Sequence, residues 1–258
     1  MTSTAGRTYR SRSIENVLGE IQHHYEQHHA SLFVFTDLKL NSNLEVWNAI
    51  IDNMQVLVPA ARWIASVHVD AHSENGLTTE RLKAAAESGC VRLTTGLESG
   101  SQRMLDLMKK GTRLDCESSY LHAAAEAGIS VRCTMIAGYP GETASDVRES
   151  AEFVRKHVEV VDRIKLCNFS LIVGTQIDRK VRMAEGVNHH AKHNGQAAPV
   201  ALPLAELTPR FDLALVDCVS IPLGDPAYRA AMTELIEAVH EVNRKTLGER
   251  AAVFEGVM

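Results

Sequence analysis

A chain of 258 residues with 45% hydrophobic and 23% charged side chains has the composition of one folded domain of barrel size, or of a domain with a tail, and excludes a disordered or collagen-like polymer. Lysine and arginine total 27 against 32 aspartates and glutamates, a formal charge of −5, so nothing global draws the chain to phosphate backbones or anionic membranes, and neither nucleic acid nor membrane is expected as a partner. No apolar run approaches the roughly 18 residues of a spanning helix, and the polar start MTSTAGRTYRSRS lacks the apolar stretch of a signal peptide, so the expected location is cytoplasmic.

Short apolar, β-branched or aromatic runs at Leu32–Phe35, Trp63–Val69, Val91–Leu97, Val131–Ala137 and Ile164–Val173 alternate with segments of helical period near 13–29, 43–57, 78–88, 101–110, 116–127 and 144–158. That order is the pattern of βα units on a parallel sheet. An internal echo favours a barrel over a doubly wound sheet: Leu82-Lys-Ala-Ala-Ala-Glu-Ser-Gly89 returns 39 residues later as Leu121-His-Ala-Ala-Ala-Glu-Ala-Gly128, a helix, a glycine stop and a strand each time. Residues 178–205 read as an irregular excursion and 211–219 as a further strand. Asp225-Pro226 then opens a helix whose apolar face is Met232, Leu235, Ile236, Val239 and Val242, ending by Gly248. The expected division is a barrel-like part over 1–175 and a C-terminal extension over 176–258, its terminal helix packed on the barrel.

In a parallel barrel the loops after the strand C-termini form the active face. The polar groups there are Thr36 and Asp37, then His68, Asp70 and His72, then Glu98, Ser99 and Ser101, then Gly138–Glu142, then Gly174 and Thr175. Gly-Leu-Glu-Ser-Gly-Ser (96–101) sets a carboxylate between two glycines, where it can accept hydrogen bonds from an amine or from ribose hydroxyls. Ile136-Ala-Gly-Tyr-Pro-Gly-Glu-Thr (136–143) is a second glycine-rich exit whose Gly138 and Gly141 let backbone amides approach a planar or anionic ligand. The plainer reading of both is that each polar group caps the next helix, Thr143 among them.

Taken in order, YRSRS-x-E-x-V-x-x-E-I, FVFTD, a Trp-initiated strand ending at Asp70, a helix closing in SGC, GLESGS-x-x-x-L-x-x-MKKG, AAAEAGI, TMIAGYPGET-x-x-D and NFSLIVGT resemble the radical S-adenosylmethionine family, most nearly its branch that often carries a cobalamin-binding domain. The resemblance covers roughly residues 9–175 and implies an incomplete parallel (β/α) barrel of TIM-like type with a C-terminal helical extension. It also implies roles for matching positions. Asp37 lies near the methionine amine of S-adenosylmethionine, and Glu98 with Ser99 contacts the amine or ribose. Ile136, Gly138 and Gly141 surround the adenine, and Phe169 with Gly174-Thr175 belongs to the last strand, where Val-Gly-Thr replaces the usual Pro-Gly-Thr.

The family's [4Fe–4S] cluster sits on three thiolates of a Cys-x-x-x-Cys-x-x-Cys loop. No such loop occurs here: Cys90, Cys116, Cys133, Cys167 and Cys218 are odd in number and scattered, which fits reduced thiols. The first strand, the cluster loop and any cobalamin domain are therefore expected outside this chain, upstream or on a partner chain, leaving two open sheet edges. The alternatives are a degenerate barrel that binds S-adenosylmethionine without catalysis, and a metal-dependent hydrolase using His68, Asp70 and His72 on one side of an extended segment. The histidines at 23–29 and 189–193 and the lysines 109 and 110 read as solvated charges. Substrate, small molecule or peptide, stays open.

Overall fold

The computed structural model describes residues 11–71, 75–170 and 225–256. Five strands, β1 (Leu32–Val34), β2 (Arg62–Val67), β3 (Cys90–Glu98), β4 (Ser130–Ala137) and β5 (Arg163–Asn168), pair in sequential order and all in parallel. Parallel neighbours need a crossover between them. The crossovers are α2 (Leu44–Leu57), α3 (Thr79–Glu87), the pair α4 (Gln102–Met108) and α5 (Leu114–Glu126), and α6 (Ala144–Lys156), with α1 (Ile14–His28) ahead of β1. The result is an α/β half-barrel, a partial TIM barrel, in which every strand ends at the same rim.

Local chemistry explains the helix starts. Ser13, Asn43, Thr78 and Thr143 each accept a hydrogen bond from a backbone N–H of the first turn, and Thr143 with Asp146 completes a capping box. The echo motif ends each of its helices in a left-handed glycine, Gly89 at φ +100° and Gly128 at φ +75°. At Gly89 a Cβ would stand 2.0 Å from the Ala61 carbonyl oxygen, so only glycine lets β3 start where it does.

Side chains alternate across the strands. On the outer face Trp63, Leu93, Val131, Met135 and Ile164 are buried under the helices. Trp47 and Trp63 meet edge to face at 5.9 Å, and their indole N–H groups donate to Gly76 O and Ser88 Oγ. At the base of the inner face, Arg92 is fully buried and donates to the carbonyls of Ala251 and Phe254, both at 2.7 Å. The short helix α8 (Glu249–Ala252) and the turn after it thereby close the bottom of the trough. Burial holds the Arg92 pKa down to about 10.

Helix α7 (Pro226–Asn243) starts on the Asp225 cap with Pro226 in its first turn, buries Met232, Leu235, Ile236, Val239 and Val242, and lies along α6 and β5. At its end the Asn243 amide both accepts from Ile164 N (2.8 Å) and donates to Ile164 O (2.9 Å). No described helix is long and apolar enough to cross a membrane.

The differences from expectation are local. Strand β2 stops at Val67, before His68 and Val69, and β5 stops at Asn168, well short of Val173. The helix expected over 101–110 stops at Met108, because Lys109 (φ +55°) and Gly111 (φ +69°) turn the chain back over the rim. His72, Gly174, Thr175, Cys218 and the segments 178–205 and 211–219 lie outside the described residues.

Candidate functional site

Glu98, the last residue of β3, is left-handed at φ +59° and sits where the β3–β4 register shifts. A non-glycine residue there costs on the order of 1 kcal/mol or more, strain that is stored at functional sites. Two residues earlier, Gly96 exposes bare backbone. A Cβ on it would lie 2.9 Å from Glu98 Oε1 and 3.7 Å from Lys110 Nζ. Over that glycine Lys110 Nζ donates to Glu98 Oε1 at 2.7 Å, with the two side chains 29% and 14% exposed. This corrects the reading of Lys110 as a solvated charge.

The β2 exit faces the same pair. His68 is anchored through its backbone, donating to Asn41 Oδ1 and accepting from Asn41 Nδ2, both at 2.9 Å. Burial, and then the nearby cations of Lys39 and Lys110, hold its imidazole pKa below the usual value, so it is neutral at pH 7. Thr112 Oγ1 donates to Val69 O and Ala71 N donates to Gly111 O, which pins the Lys110 turn onto this exit.

The second wall is the turn after β4. Gly138 (φ +79°) and Gly141 (φ +89°) are both left-handed. Glu142 Oε2 accepts from Gly138 N at 2.7 Å and from the Tyr228 hydroxyl of α7 at 2.6 Å. Burial raises the Glu142 pKa, while those two donors oppose the rise. Tyr139 and Phe169 meet edge to face at 5.1 Å, and Phe169 N donates to Ala137 O. Half-buried Ile136 lies on the inner face just below them.

The two walls are tied together through α6. Ser150 Oγ bonds Ser99 Oγ (3.1 Å) and accepts from Gly100 N (2.9 Å), and Ser101 Oγ donates to Asp146 Oδ1 (2.8 Å). Arg103 pairs with Asp146 and donates to Gly141 O at 2.8 Å. Burial opposes ionisation of Asp146, but the bonds from Arg103, Thr143 and Ser101 hold its carboxyl well below the usual range. Ser99 is thus turned into the protein, where it fixes the loop that carries Glu98. At Gly100 a Cβ would stand 2.6 Å from Ser150 Cα, so the close approach of α6 depends on that glycine.

Asp37 is exposed beyond β1 and lines a cavity of about 340 Å³ between α1, β1 and α2, together with Phe33, Phe35 and Val17. No hydrogen bond or ion pair among the described residues joins it to Glu98 or Gly138. The expected sites at 98, 136, 138, 141 and 169 fall on the exits of three neighbouring strands, β3 to β5, and Asp37 on the edge strand. Glu142 was expected on the rim, whereas Lys110 and Tyr228 were not singled out from sequence as part of a site. The run Met-Lys-Lys-Gly, with its turn residue after the second lysine, is the only sequence signal that pointed at Lys110.

Among the described residues no group of three or more His, Cys, Asp or Glu side chains could hold a metal ion. Cys90 and Cys133 are buried, Cys116 lies on α5 and Cys167 on β5. Burial pushes the Cys133 thiol well above its ordinary pKa, away from the thiolate that a cluster needs. The described thiols do not fit a [4Fe–4S] cluster.

Residues 1–154 match the model of the family described as the Radical SAM superfamily. An uncharacterized methyltransferase of Pyrococcus horikoshii is 26% identical over 153 residues, 58% of this chain and 32% of that relative, so the chain spans about a third of the curated protein it matches. Among solved structures, the radical S-adenosylmethionine methyltransferase TsrM from Kitasatospora setae, with cobalamin and a [4Fe–4S] cluster bound, superposes with a TM-score of 0.56 at 17% identity, over 67% of this chain and 34% of that one. The cobalamin-dependent S-adenosylmethionine radical enzyme OxsB gives 0.52 at 17% identity over 70% and 26%. These likenesses show a common fold, and the family match extends over more than half of the sequence. This chain belongs to the radical SAM superfamily.

Proposed function

We propose that this chain is the S-adenosylmethionine-binding part of a radical S-adenosylmethionine enzyme of the methyl-transferring kind, and that the cluster loop is carried on other polypeptide, upstream or in a separate chain. The observation that carries the reading is the Glu98–Lys110 pair over Gly96. A carboxylate and an ammonium side by side on an open rim complement the zwitterionic end of an amino acid: Glu98 takes its ammonium and Lys110 its carboxylate. The left-handed turn at Gly138 and the Ile136, Tyr139 and Phe169 surfaces suit the flat adenine beyond it, with Gly141 allowing the close approach. Asp37 serves from the β1 exit.

Membership implies S-adenosylmethionine and a [4Fe–4S] cluster, and the cluster would supply the electron that cleaves the sulfonium. This chain's own residues supply binding and orientation only. Exposed Leu32 and Val34 on the edge strand (45% and 39%), with the adjoining cavity, support an extended segment seated beside β1. Cobalamin, bound in TsrM, would arrive with a further domain. The second reading, an S-adenosylmethionine-binding remnant without catalysis, is favoured by the described thiols, which form no cluster-holding group.

Calorimetry with S-adenosylhomocysteine tests the site. Binding is expected for the wild type and at least ten-fold weaker for Gly96→Ala and Glu98→Gln, with thermal stability nearly kept. Iron and sulfide retained after anaerobic reconstitution only when the upstream segment or partner is supplied would favour the enzyme, and none under any condition the remnant. Failure of the wild type to bind sinks both.

A further inference from the structure

A parallel sheet covered on both faces is normally apolar on both, and the inner face of this one is not. Its register gives two rows below the rim, Ser66–Thr94–Arg132–Arg163 and, one step higher, Gly96–Thr134–Lys165. Ser66, Thr94 and Thr134 are partly exposed, and Lys165 is exposed between the buried, outward-facing Ile164 and Leu166. Charge is sorted along this wall. Arg132 and Arg163 both lie against Glu255, at 3.5 and 3.8 Å. Among the described residues no carboxylate pairs with Lys165. Lys165 therefore presents a cation on the inner face, with the neutral hydroxyl of Thr134 beside it in the same row.

We infer that the trough receives a substrate through an oxyanion, carboxylate or phosphate, seated at Lys165 with the Thr134 hydroxyl donating to it. The inference rests on the reading of the rim as the adenosyl site. Two residues of strand separate this row from Ile136 and Cys167, so the acid group lies roughly 7 Å below the rim. The substrate class is then a small polar acid whose reacting carbon sits about one row above its anionic end.

The test uses the full chain at low salt, titrated with inorganic phosphate followed by ³¹P NMR and with acetate followed by proton NMR. Saturable binding of at least one anion is expected, weakened five-fold or more by Lys165→Met and by a smaller factor by Thr134→Val. Lys83→Met, at an exposed lysine of α3, leaves it unchanged. Preference for phosphate identifies a phosphoester substrate, and preference for acetate a carboxylic acid. Equal binding by Lys165→Met, an equal loss in Lys83→Met, or no saturable binding of either anion overturns the inference. A parallel titration with S-adenosylhomocysteine separates the two claims, because its failure removes the rim reading while the anion result stands on its own.

Discussion

Tyr228→Phe removes one oxygen atom and tests how the C-terminal helix governs the Gly138 turn. In the wild type the phenol of α7, fully buried, donates at 2.6 Å to the same Glu142 oxygen that holds Gly138 N at 2.7 Å. A hydrogen bond to a charged acceptor is worth about 1.5–3 kcal/mol. In a chain of this size that loss lowers the melting temperature by roughly 3–12 °C. The sign of the pH dependence follows from Glu142, whose folded pKa burial raises above its ordinary 4.5. Its contribution to stability is full below that ordinary value and is lost as pH rises through the folded pKa. Losing the Tyr228 donor raises the folded pKa further. The variant's deficit is therefore largest near pH 8 and shrinks toward pH 5, where a protonated carboxyl needs the donor less. Urea denaturation at both pH values measures it, and amide exchange at Gly138 reports the turn directly. A deficit independent of pH, or an unchanged Gly138 amide, would refute the coupling.

Glu117 is fully buried on α5, and no described hydrogen bond reaches either carboxyl oxygen, the Tyr120 hydroxyl or Thr95 Oγ1. Burial pushes its pKa up to about 7. Its share of stability is thus present in acid and lost as pH rises through 7, on the order of 3 kcal/mol by pH 8.5. Glu117→Gln is expected to flatten the fall in melting temperature between pH 6 and 8.5, and parallel curves for the two proteins would contradict this. Arg92→Met removes the bonds to the Ala251 and Phe254 carbonyls and should cost about 3 kcal/mol or more, with faster amide exchange over 251–256. Unchanged exchange there would show that the base is held closed by something else.

Much of the fold is legible in the sequence because it rests on short-range pattern. Strand runs and helical periods alternate without interruption to Asn168, and the two AAAE-x-Gly stops encode the same turn twice. The five apolar positions of α7 likewise sit on one helical stripe. The site is legible only in part. Glu98 and Gly138 follow from strand ends, but the partners that define their chemistry come from elsewhere. Lys110 reaches Glu98 only because Gly96 has no side chain, Glu98 is bulged and Lys109 is left-handed, three conditions of backbone shape that spacing does not encode. Tyr228 lies 86 residues from Glu142, and Phe254 lies 162 from Arg92. Such pairs obey no periodicity, because they are set by how α7 and α8 lie against the sheet.

Asn243 has a bearing on how the half-barrel can grow. By engaging both backbone groups that Ile164 turns away from β4, its amide acts as a doorstop at the foot of the sheet's far edge. Among the described residues, the first pairing position on that edge beyond Ile164 is Leu166, one pleat nearer the rim, and a sixth strand would start there. Widening of the barrel on that side is therefore restricted to the upper half, and the lower half stays bolted to the terminal helix whatever chain is added.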